Sequence, residues 1–68
     1  MDPIIVVREG TDQVRLSISL QDLLTLSGGL NEAIELIDEW EFPIRLGVSV
    51  EEARTLRQRL RKALDEGT

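Results

Sequence analysis

The sequence predicts an α+β domain in the order ββαβα, a two-layer sandwich whose helices cover one face of a three-stranded sheet. Three observations predict it. Two β-branched runs near the N-terminus flank a turn, apolar residues recur at helical spacing through the middle, and Ser49 with Glu52 spells a capping box before a second amphipathic helix.

The size and composition suit that class. At 68 residues the chain makes one domain, residues 1–68, near the size where a single core barely offsets chain entropy. Hydrophobic residues are 41% and charged residues 31%, the balance of a folded chain rather than a disordered one. One Phe, one Trp and no Tyr leave Ile, Leu and Val to build the core.

"PIIVVR" and "QVRLSIS" read as the two strands of an antiparallel hairpin, joined through Glu9, Gly10, Thr11 and Asp12. The second strand alternates Val14, Leu16 and Ile18 with Arg15, Ser17 and Ser19, so one of its faces should be wet. The first is apolar on both sides from Ile4 to Val7, which asks for a central or covered position. Ser19 with Asp22 suits a helix N-cap, and Gly28-Gly29 should break that helix before "LNEAIELIDEW" resumes it. Leu30, Ala33, Ile34, Ile37 and Trp40 then share a face, opposite Glu32, Glu35, Asp38 and Glu39. "FPIRL" alternates like a short edge strand, with Pro43 at the edge. The last helix runs from the capping box to about Leu64, with Val50, Ala53, Leu56, Leu60, Ala63 and Leu64 as its buried stripe and Gly67 beyond its end; Asp65 to Thr68 should fray.

Because helical crossovers join parallel strands, the expected sheet order is 2-1-3, with the doubly apolar strand in the middle. Parity then assigns faces. With Ile5 and Val7 taken as core, Ile4, Val6 and Arg8 point away from the helices together with Arg15 and Arg45, an apolar strip rimmed by arginines. Such a face suits a protein contact, whereas the bland reading is a solvated sheet surface shielded by arginine stems.

Charge is unevenly spread. The net charge is −5, yet "RTLRQRLRK" holds five of the eight basic residues. Arg54, Arg57 and Arg61 line one margin of the last helix at spacings of three and four. The ridge should pair internally with Asp38, Glu39 and Glu41 or simply solvate, since surface pairs are worth little; the alternative is recognition of an acidic partner. The sequence does not separate these.

The absence of His and Cys removes the usual general base, thiol nucleophile and zinc ligands, and no cofactor or metal motif is present. The chain therefore reads as a non-enzyme without an evident small-molecule substrate. A cysteine-free chain fits a reducing cytoplasm, and the four-residue apolar run at the N-terminus is too short for a signal peptide or a membrane span, so a soluble protein is expected.

"VRLSISLQDLL" is similar to the strand-then-helix opening of ribbon-helix-helix repressors, over about a sixth of the chain. The preceding hairpin, "FPIRL" and the acidic balance depart from that pattern. The leading expectation is a small regulatory or adaptor protein that binds another protein or itself, as a homodimer. The alternative is a nucleic-acid-linked role, either weak DNA binding through the arginines or an acidic inhibitor whose Glu32, Glu35, Asp38 and Glu39 imitate a phosphate track.

Overall fold

The computed structural model of the chain describes residues 3–66. A hairpin of β1 (Ile5–Glu9) and β2 (Gln13–Ser17) leads into α1 (Leu20–Leu36), a short α2 (Phe42–Leu46) and α3 (Val50–Glu66). The order is ββααα. The class is α+β, but the sheet has two strands rather than three, and the 2-1-3 order does not form.

The hairpin follows from its β-branched runs and its turn. β1 and β2 pair antiparallel with Ile5 opposite Ser17, Val6 opposite Leu16 and Glu9 opposite Gln13. Gly10 turns the chain at a φ of +79°, a left-handed conformation that costs any residue with a Cβ. Only Ile18 and Ser19 separate β2 from α1, whose N-cap Ser19 accepts a hydrogen bond from the Asp22 backbone N–H at 3.1 Å.

The expected break at Gly28-Gly29 is absent. α1 runs unbroken for 17 residues, and just past the glycines Leu30, Ala33 and Ile34 form a stripe that packs into the core shared with α2 and α3. Packing along that stripe offsets the roughly 2 kcal/mol that two glycines cost a helix. The helix stops at Leu36, where Ile37 turns extended, and the Ile37 N–H still donates to the Ala33 carbonyl.

"FPIRL" is helix α2, not an edge strand. Pro43 sits in its first turn, where a missing N–H costs nothing, and Gly47 closes it at a φ of +77° with its N–H donating to the Pro43 carbonyl. The alternation of Phe42, Ile44 and Leu46 does not mark a buried face. Phe42 is wholly buried, whereas Ile44 and Leu46 are exposed.

The capping box at Ser49 opens α3 as expected. The Glu52 N–H donates to Ser49 Oγ at 3.1 Å, and the Ser49 N–H and hydroxyl both donate to Glu52 Oε1. Only part of the expected stripe is covered, however. Val50 and Ala53 are buried, Leu60 and Leu64 half-buried, and Leu56 and Ala63 exposed. Asp65 and Glu66 remain helical, while Gly67 and Thr68 lie outside the described residues.

The core sits where the three helices meet. Ile34, Phe42, Val50 and Ala53 form it, with Leu30, Ala33 and Ile37 packed against it. No hairpin residue belongs to it.

Candidate interaction surface

The register of the hairpin decides its faces. Residues opposite one another in an antiparallel pair point to the same side, so Val6, Arg8, Val14 and Leu16 share one face. Ile5, Val7, Glu9, Gln13, Arg15 and Ser17 share the other. The expected grouping of Ile4, Val6, Arg8, Arg15 and Arg45 is therefore corrected. Val6 and Arg8 lie with Val14 and Leu16, Arg15 lies on the opposite side, and Arg45 belongs to α2.

Neither face is covered. Ile4, Ile5, Val6, Val7, Val14 and Leu16 all stand between 45% and 59% exposed, so the cover expected from the helices is missing as well as the third strand. Charge on the hairpin is balanced and partly self-paired. Arg15 Nε lies 2.6 Å from Glu9 Oε1, a contact that their shared face permits. Arg8 is exposed.

The arginine ridge on α3 is mostly engaged within the chain. Arg57 donates from Nη1 to Asn31 Oδ1 at 2.8 Å, tying the middle of α3 to α1. Arg54 lies 3.9 Å from Glu39, at the limit of an ion pair between exposed groups. Arg61 is exposed. Of the expected carboxylate partners Glu39 reaches the ridge, whereas Glu41 holds Arg45 at 2.7 Å across one helical turn. The Asn31 link was not foreseen. An i, i+3/i+4 reading of α1 places Asn31 between Leu30 and Ile34 on the side of the partner helix, which is the signal that could have found it.

The acidic surface is less regular than a single helix face. Glu32 and Glu35 project from α1, while Asp38 and Glu39 lie beyond its end in the turn before α2; all four are exposed. Trp40, expected in the core, lies in that same turn and is 70% exposed. It lines an open depression with Asp38, Pro43 and Val50. Among the described residues, no group of three or more His, Cys, Asp or Glu is placed to hold a metal, and no helix is long and apolar enough to cross a membrane.

No protein family, curated protein or solved structure matches the chain.

Proposed function

We propose that this protein works by binding protein, as a small non-enzymatic regulatory or adaptor module, and that the β1–β2 hairpin is its contact surface. The observation that carries this reading is the exposure of five large aliphatic side chains on both faces of a hairpin that contributes nothing to the core, with exposed Ile4 just before it. Isolated two-stranded hairpins are marginal in water, and an apolar ribbon with open edges invites pairing unless a partner covers it. The turn around Trp40 is a smaller second contact region, since an exposed Trp beside apolar and acidic groups suits a protein interface.

No observation favours the nucleic-acid alternative, because Arg54 and Arg57 are turned to Glu39 and Asn31 rather than into a continuous basic track. A reducing cytoplasm belongs to the same proposal, on the absence of cysteine.

The test compares two baits, the wild type and a Val7→Glu, Leu16→Glu double variant that carries a charge on each face. Both are offered a cell extract of the native source together with a differently tagged copy of the chain. The reading expects at least one protein, the chain itself or another, to be depleted about tenfold or more on the variant. Identical capture by the two baits would contradict it.

A further inference from the structure

We infer that the partner of the hairpin is a second copy of this chain, paired antiparallel along the free edge of β1 and centred on Val6; the inference rests on the protein-binding reading above. The composition of β1 is the first reason. Ile5, Val6 and Val7 present aliphatic side chains to both sides, as a strand does when it has neighbours at both edges and cover on both faces. Yet among the described residues β1 has a neighbour only on its β2 side. β2, alternating Val14 and Leu16 with Arg15 and Ser17, has the composition of an outer strand. Pairing β1 with its copy gives the sheet order β2-β1-β1-β2, in which β1 gains its second neighbour and β2 stays outermost.

Symmetry limits the register. Two identical antiparallel strands are related by a two-fold axis perpendicular to the sheet, and opposite residues share a face only if that axis passes midway between a residue and its own copy. Centred on Val6, Ile5 meets Val7 of the second copy and Ile4 meets its Arg8, so the whole run from Ile4 to Arg8 is used and no arginine faces an arginine. Centring on Ile5 brings Pro3, which has no N–H to donate, opposite Val7. Centring on Val7 sets Glu9 against Ile5 and drives Gly10, at the hairpin turn, against Ile4.

Charge points the same way. A chain of net charge −5 repels its own copy over most of its surface, but on the hairpin Arg8 and Arg15 balance Glu9 and Asp12. Two copies meeting there meet where the net charge is zero.

The area fits a dimer. The chain exposes 5785 Å² and weighs 7.7 kDa. A compact monomer of that mass exposes about 4,300 Å². The surplus, roughly 1,500 Å² per copy, is surface that association can hide, and pairing along β1 takes part of it. The radius of gyration agrees, at 13.4 Å against about 11 Å for a compact chain of this length.

The experiment uses the full chain, which has no cysteine of its own, in sedimentation equilibrium and in disulfide trapping. Wild type should sediment at about twice the 7.7 kDa chain mass. The Val6→Cys variant should give a covalent dimer under mild oxidation, because the two Cα atoms at the axis stand about 4.5–5.5 Å apart, within disulfide reach. The Val14→Cys variant should not, since the outer strands of that sheet are about 14 Å apart. Val6→Glu should weaken the dimer at least about tenfold by setting two carboxylates face to face. If that variant fails to fold, the two cysteine variants decide alone. A dimer that links through Val14→Cys but not Val6→Cys, or that survives Val6→Glu intact, overturns the inference. A monomeric wild type with hairpin-dependent capture of a different protein overturns it and leaves the binding reading standing; a monomer whose capture ignores the hairpin overturns both.

Discussion

Phe42 and Trp40 are two residues apart and have opposite fates. Phe42 is wholly buried and Trp40 is 70% exposed. Residue pattern places both in the core, because Trp40 continues the i, i+3, i+4 series of Ile34 and Ile37. The series fails at Trp40 for a backbone reason, since α1 ends at Leu36 and Ile37 is extended, so the chain no longer carries the helical period that far. Phe42 is reached instead through the turn in which the Glu41 and Phe42 N–H groups both donate to the Asp38 carbonyl. Truncating Phe42→Ala removes the largest side chain of a four-residue core and should cost about 3–5 kcal/mol in urea unfolding. A loss below about 1 kcal/mol would show that the core lies elsewhere. Trp40→Ala should change stability by less than about 0.5 kcal/mol, as surface substitutions do. The tryptophan emission of the wild type should be that of a solvated indole, open to a soluble quencher.

The elements differ in how far their local signals reached. Caps were legible because they are local chemistry, with Ser19 and Ser49 each meeting a backbone N–H three residues on, as their spacing requires. The hairpin was legible for the same reason. α2 was not, because five residues alternating Phe42, Ile44 and Leu46 satisfy a strand template, while Pro43 and Gly47 mark the start and stop of a short helix. Continuity of α1 was hidden as well, since glycine cost is local whereas the packing that offsets it comes from α3. A Cβ at Gly28 or Gly29 meets nothing within 4 Å, so Gly28→Ala and Gly29→Ala should each stabilise the chain by about 0.5–1 kcal/mol in thermal or urea unfolding. Destabilisation by either substitution would mean that α1 is broken there. Ser49→Ala, which removes both bonds made through the Ser49 hydroxyl and keeps the backbone N–H bond to Glu52, should cost about 1 kcal/mol by the same measurement.

At the scale of the molecule, the sequence foretold a first strand that must be central or covered, and the chain by itself leaves it neither. The element expected to flank it, "FPIRL", is a helix, so β1 keeps a composition that its place in the single chain does not satisfy. The remaining core of Ile34, Phe42, Val50 and Ala53 is small, and association between copies adds to the stability of the folded chain. Thermal unfolding of the wild type should therefore shift to higher temperature as protein concentration rises, and the Val6→Glu variant should lose that dependence. The most direct measurement is a filtered nuclear Overhauser experiment on an equal mixture of isotope-labelled and unlabelled chains, which reads contacts between copies alone. Pairing along β1 predicts intermolecular contacts between Ile5 and Val7 and between the two Val6 residues. Intermolecular contacts confined to other residues, or none at a concentration where sedimentation reports a dimer, would contradict it.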